Sequence, residues 1–212
     1  LILFLTFHMS MNIVALFSEK AYNMICAFLG SNWYAVVATI ALGALTVAHI
    51  VYAFILTAQN RSARGNERYA VNGSSPKVEW ASKNMLVLGI IVLLGILLHL
   101  FNFWYNMMFA EIVGFEGKYS PTAGYSYIVE TFKNPVFVVL YIVWLCAIWY
   151  HLSHGFWSAM QTLGINGKIW FKRWKMIGLV YTTLLMLGFL IVVLAFTFGC
   201  APSLHSACCL IH

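Results

Sequence analysis

Between Lys83 and Glu111 the chain carries no Asp, Glu, Lys or Arg, and the first part of this stretch reads NMLVLGIIVLLGILLHLF. Roughly 20 such residues in a helix cross about 30 Å of hydrocarbon. Several runs in the chain are of this length, and none shows the period-2 alternation of a barrel strand. Hydrophobic residues make up 62% of the 212 positions and charged ones 8%, a balance that no soluble domain of this length sustains without aggregating. The chain therefore reads as an all-α integral membrane bundle.

Five transmembrane helices are expected: helix I over 1–17, II over 33–58, III over 83–109, IV over 135–163 and V over 170–198. The bundle occupies 1–198, followed by an atypical tail over 199–212. The chain is already apolar at Leu1, which reads as a first helix truncated at its start. Ser31 and Asn32 suit the cap of helix II and Ser82 that of helix III, while Asn134 and Pro135 give a cap followed by proline at the first helical position. Gly164 and Gly167 punctuate the end of helix IV. The intervening SEKAYNMICAFLG is short and amphipathic, fit to lie along the interface.

Lysine and arginine set the direction. Arg61, Arg64, Arg68, Lys77 and Lys83 flank the II/III connection, and Lys168, Lys172, Arg173 and Lys175 the IV/V connection. Only Lys20, Lys118 and Lys133 fall on the other side, so both connections are expected in the cytoplasm.

Helices I to IV each carry histidine well inside the span: His8, His49, His99, and His151 with His154. Ionisable groups at this depth are costly and are functional by default, although any single one also serves as a hydrogen-bonded packing residue. With the helices directed as above, His49 and His151 share an inner level, about 15 Å from the cytoplasmic end at 1.5 Å per residue, and His8 and His99 share an outer one. This is the arrangement that holds two haems stacked across a membrane, His49 with His151 on the inner iron and His8 with His99 on the outer. No Cys-x-x-Cys-His occurs, so the haems are expected to be non-covalent, b-type. Ala44, Gly95 and Gly155 lie at or near the ligand faces and would admit a flat porphyrin; each serves helix packing equally well. The rival is a histidine-lined proton or metal pathway, which usually also employs carboxylates within the spans. Aspartate is absent from the chain, and all six glutamates lie in loops or at expected helix ends. The cysteines Cys26, Cys146, Cys200, Cys208 and Cys209 form no disulfide framework, and the Cys and His of the tail fit no zinc pattern well. Spacing alone does not choose between His151 and His154, because positions i and i+3 share nearly one helix face.

FHMSMN in helix I, AHIVYAFILTAQN in helix II and YHLSHGFWSAMQTLG in helix IV resemble the single-chain, di-haem cytochrome b subunit of succinate dehydrogenase and fumarate reductase complexes of Bacteroidetes-like bacteria. The resemblance runs from Leu1 to about Phe198 and rests most on His-x-x-x-Asn, His-x-x-Tyr with Thr-Ala-x-Asn, and His-x-x-x-Gly-x-Trp. It implies that His151, four before Gly155, is the ligand. His154 then sits one turn nearer the cytoplasm, positioned for a haem propionate or for a partner subunit. Two departures stand out: helix I lacks the usual basic beginning, and the tail GCAPSLHSACCLIH has no counterpart.

The resemblance also implies partners: an iron-sulfur subunit and a flavoprotein subunit at the cytoplasmic face of a bacterial inner membrane, in complexes that can pair as dimers. The chain itself would bind no dicarboxylate and no nucleic acid. It would anchor the enzyme and pass electrons between the iron-sulfur subunit and menaquinone through two haem b groups. Glu19, Tyr22, Asn12 and Asn106 are available for a quinone beside the outer haem, and each suits an interfacial anchor or a cap as well. The alternatives are the cytochrome b anchor of a hydrogenase or formate dehydrogenase, or a haem-free membrane transporter. Direction is open to test with single cysteines at Ser74 and Tyr119 in a background without reactive native thiols. An impermeant thiol reagent on intact cells should label Tyr119→Cys and spare Ser74→Cys; the reverse pattern inverts the topology.

Overall fold

A computed structural model describes residues 1–64, 80–115, 117–165 and 167–204, and every regular element among them is helical. The helices are α1 (Ile2–Phe17), α2 (Glu19–Ser31), α3 (Trp33–Arg64), the single turn α4 (Trp80–Lys83), α5 (Met85–His99), α6 (Ala110–Val113), α7 (Gly124–Lys133), α8 (Pro135–Thr162) and α9 (Lys168–Thr197). A π-helical segment, Leu100–Phe109, joins α5 to α6 without a break. Four of these stretches are long and apolar enough to cross a membrane: Trp33–Ala63, Met85–Val113, Pro135–Thr162 and Lys168–Leu204. The chain is a multi-pass helical membrane protein. Helix α1 has 16 residues, about 24 Å at 1.5 Å per residue, and falls short of the hydrocarbon thickness as it stands.

The ends follow local chemistry, with corrections. Asn134 caps α8 through its side chain, which accepts from the Val136 N–H, and Pro135 follows at the first turn. Asn32 Oδ1 accepts from the Tyr34 N–H at 3.0 Å, whereas Ser31 lies inside α2. The segment expected to be amphipathic is a full helix, α2, started by Ser18, whose hydroxyl accepts from the Ala21 N–H. Ser82 does not cap the third span; it lies within α4, and Asn84 separates α4 from α5. Gly164 closes α8 at φ 75°, a conformation that glycine adopts without a Cβ clash, but Gly167 opens α9 and does not end α8. Helix α3 runs past the expected boundary at Ala58 to Arg64, since QNRSAR contains no glycine or proline to stop it.

The core lies where α8 packs on α9, with α1 and α7 closing one end: Tyr125, Ile128, Tyr141, Leu145, Leu185, Met186, Val193 and Phe196 are buried there. Lipid offers apolar side chains as good a home as protein does, so close fit and interhelical hydrogen bonds carry such packing. Trp149 Nε1 donates to Thr183 Oγ1 at 2.9 Å between α8 and α9, and Thr6 shares a short hydroxyl bond with Tyr181 between α1 and α9. On the other side of α8, Trp144 lays its indole in the notch left by Gly95 of α5 and donates from Nε1 to the Val92 carbonyl at 3.0 Å. The first part of the tail belongs to the core. After Gly199 turns the chain at φ 65°, Ala201 and Ser203 are buried, and Ser203 Oγ donates to the Ala15 carbonyl at 2.8 Å. The tail's His205, Cys208 and Cys209 lie outside the described residues.

Helix α3 stands apart. It packs on α2, and none of its described residues is buried.

Any Cβ at position 95 would enter the Trp144 ring. Gly95→Val should therefore displace the indole and cost about 1–3 kcal/mol, the range for overpacking. Thermal unfolding in detergent, with tryptophan emission as the second probe, measures it.

Candidate functional site

Four histidines from four helices meet in two pairs. The His8 and His99 rings, from α1 and α5, have centroids 5.6 Å apart with planes at 87°. The His49 and His151 rings, from α3 and α8, have centroids 6.1 Å apart with planes at 79°. These are the two pairs expected from depth in the sequence. They lie at different levels: an added Cβ on Gly89 would come within 3.8 Å of His151 Cε1, while His99 lies about 15 Å further along α5 at 1.5 Å per residue. The depth of His49 needs correcting, because α3 is longer than expected and places it midway along the helix.

Nδ1 of His99 and Nδ1 of His151 are buried without a hydrogen-bond partner among the described residues. An unsatisfied buried nitrogen costs about 1–3 kcal/mol, so these rings are poorly explained as packing alone. Two imidazoles that grip one metal ion from opposite sides, with bonds of about 2 Å, set their centroids roughly 6 Å apart. Both pairs have this spacing. Their surroundings differ. At the inner pair, His49 is exposed on the loosely packed α3, Ala44 on the same helix is exposed, and an added Cβ at Gly155 meets nothing within 4 Å. No packed neighbour covers Ala44 or Gly155, which is the openness a flat macrocycle requires. The outer pair is walled by aromatic rings: Phe4 stacks on His8 at 5.4 Å, Phe189 approaches it at 5.8 Å, and Phe103, Trp144 and Tyr141 approach His99 at 5.1, 5.5 and 6.2 Å. The space beside Gly95, expected to admit a porphyrin, is taken by Trp144. The outer pair thus has the centroid spacing, while room for a flat group beside Gly95 requires the indole to move.

His154 stays out of both pairs, its ring edge-on to Trp157 at 4.7 Å one turn nearer the end of α8. Of the four residues considered for a quinone, two meet. Tyr22 Oη donates to Asn12 Oδ1 at 3.3 Å, and Asn12 Nδ2 donates to the His8 carbonyl at 2.8 Å, which ties α2 to the outer histidine's own backbone. Burial pushes the Tyr22 phenol well above its usual range, so it remains a donor at any physiological pH. Glu19 occupies the first turn of α2, where its charge suits the helix dipole. Asn106 is spent locally, donating to the Phe101 and Asn102 carbonyls inside the π-helical segment.

Sequence reasoning missed the aromatic wall, Gly89 and the π-helical segment. Nothing in FNFWYNMMF marks a π-helix, because Phe101, Tyr105 and Phe109, whose rings stack in sequence at 6.0 and 5.5 Å, recur at the i, i+4 spacing of an ordinary α-helix. The segment also aims Asn102 Nδ2 at Tyr141 Oη, 3.3 Å away on α8, beside His99. Among the described residues no group of three or more His, Cys, Asp or Glu gathers as a cage for a free metal ion; the histidines meet two by two.

Compared with protein-family models, with curated proteins and with solved structures, the chain finds no match.

The two surroundings predict different tolerances. Gly155→Ala adds a methyl to open space and should change stability by less than about 0.5 kcal/mol. Tyr141→Phe removes the bond from Asn102 and should cost about 0.5–1.5 kcal/mol. Thermal or denaturant unfolding in one detergent compares the two directly.

Proposed function

We propose that the chain is a di-haem cytochrome b, the membrane anchor and electron-transfer subunit of a succinate:quinone oxidoreductase. The observation that carries this reading is the meeting of four intramembrane histidines as two facing pairs, at 5.6 and 6.1 Å, on two levels of one bundle. Resemblance of the helix I, II and IV strings to the cytochrome b subunit of succinate dehydrogenase and fumarate reductase supplies the choice among cytochromes.

In this reading His49 and His151 hold the inner haem b, and His8 and His99 the outer once the Trp144 indole leaves the Gly95 notch. When bound between the paired imidazoles, haem would supply a one-electron carrier. The chain's own residues do the rest. The helices that carry them bring the imidazoles of each pair together, with centroids at 5.6 and 6.1 Å. The aromatic wall around His8 and His99 excludes water and keeps the local dielectric low, which tunes potential. Tyr22 and Asn12, linked to the His8 backbone, offer a protonated donor where a menaquinone ring could take electrons and protons. The iron-sulfur and flavoprotein subunits dock at the cytoplasmic surface of a bacterial inner membrane, beside the basic connections, and dicarboxylate chemistry belongs to the flavoprotein. His154, packed on Trp157, borders the inner site and touches no iron.

Purified with its partners, the protein should contain about two haem b per chain by pyridine haemochromogen assay. His151→Ala should remove the inner haem and keep the outer, and His154→Ala should keep both and shift one midpoint potential modestly. A ratio near zero favours the transporter alternative. Co-purifying hydrogenase or formate dehydrogenase subunits favour the other cytochrome class. Loss of the inner haem from the His154 variant, with retention in the His151 variant, moves the ligand by one helical turn.

A further inference from the structure

The start of α9, KIWFKRWK, sets Lys168, Lys172, Arg173 and Lys175 in its first turns, with no acidic residue in the first turn. The helix dipole is positive at that end, so these cations are placed against it. Lys118 with Glu130 is the ion pair formed among the described residues, and no described carboxylate neutralises Lys168, Lys172 or Arg173. The cluster is nonetheless ordered by rings. Lys175 lies over Trp157 and Phe171 at 4.6 and 4.8 Å, and the Arg173 guanidinium lies over Trp170 at 5.1 Å. Trp170 and Trp174 approach at 5.5 Å, and Trp174 Nε1 donates to the Ile165 carbonyl at 2.9 Å, which ties Ile165 to α9. Apolar side chains share the surface: Leu163 is 69% exposed, Ile165 49% and Ile169 68%.

An occupant must therefore offer anionic oxygens and hydrocarbon within one side chain's reach. A phospholipid does both. We propose that Leu163, Ile165 and the first turns of α9 form a binding surface for anionic phospholipid headgroups. Lys168, Lys172 and Arg173 take the phosphate and headgroup charge, and Trp170 and Trp174 sit at the boundary between headgroups and acyl chains, where indoles concentrate. Arg173, with a planar fork suited to phosphate oxygens, is the most directional of the three. An acidic soluble protein satisfies the cations but gives the interspersed isoleucines and leucine no hydrocarbon.

The test uses the full chain with its partners, reconstituted in nanodiscs of phosphatidylcholine containing a minority of phosphatidylglycerol. The phosphatidylglycerol retained after detergent re-extraction is measured against the bulk fraction. Wild type should be enriched, and Lys172→Gln with Arg173→Gln should lower the enrichment roughly threefold or more, as loss of two juxtamembrane charges requires. Lys172→Arg with Arg173→Lys should retain it, which separates loss of charge from loss of fold. Lys20→Gln with Lys133→Gln, on the opposite side, should leave it unchanged. Equal enrichment in the glutamine variant, or an equal fall in the opposite-side control, overturns the proposal. So does loss of a co-purifying acidic protein from the glutamine variant while its lipid enrichment persists, which assigns the surface to protein docking.

Discussion

The contact between Trp144 and Gly95 sets the register of the bundle. Because glycine lacks a Cβ, the indole of α8 reaches the backbone of α5, and its N–H finds the Val92 carbonyl. The two helices run antiparallel, so this one contact fixes every other level along them. Gly89 then faces His151, and Tyr141 faces His99. A slip of α5 by one turn would move each facing residue by about 5.4 Å and part His99 from His8, which α1 holds against α9. The geometry of the candidate site is thus inherited from a packing contact that contains no candidate ligand.

The two pairs sit in different physical settings although they use the same side chain. His8 and His99 are surrounded by rings from α1, α8, α9 and the π-helical segment, and the wall is completed by Phe189 of a helix that bears no histidine of its own in the span. His49 projects from a helix that hardly touches the bundle, and Gly155, one turn beyond His151, has nothing within 4 Å of an added Cβ. Burial of an imidazole with no partner for Nδ1 is costly in either setting. Two carriers in such unlike surroundings would differ in potential, because dielectric and solvent access act on each separately.

Polar side chains divide the work between holding helices and lining sites. Thr6 with Tyr181, Trp149 with Thr183 and Asn102 with Tyr141 each cross between helices, in a medium where apolar contact alone gives little preference for protein over lipid. Ser203 does similar work at one end, where it returns the chain after α9 onto the Ala15 carbonyl and the Tyr125 hydroxyl. This contact was hidden from the sequence because GCAPSL has neither helical period nor a recognisable cap, and its burial depends on α1 and α7 arriving at the same place.

The sequence alone determined that the chain is helical and crosses a membrane, because uncharged runs longer than the hydrocarbon thickness can satisfy their backbone only within themselves. It also singled out the histidines inside the apolar runs, although the depth of His49 was misjudged because α3 runs on to Arg64. The cap at Asn134 and the stop at Gly164 were legible because their chemistry is local. Only the tertiary structure decided that Trp144 fills the notch at Gly95, that Gly89 faces His151, and that α3 stands clear of the bundle while five aromatic rings enclose His8 and His99. Those are contacts between residues far apart in the chain. They depend on rotation and register of whole helices, which a hydrophobic run with apolar residues on every face leaves undetermined.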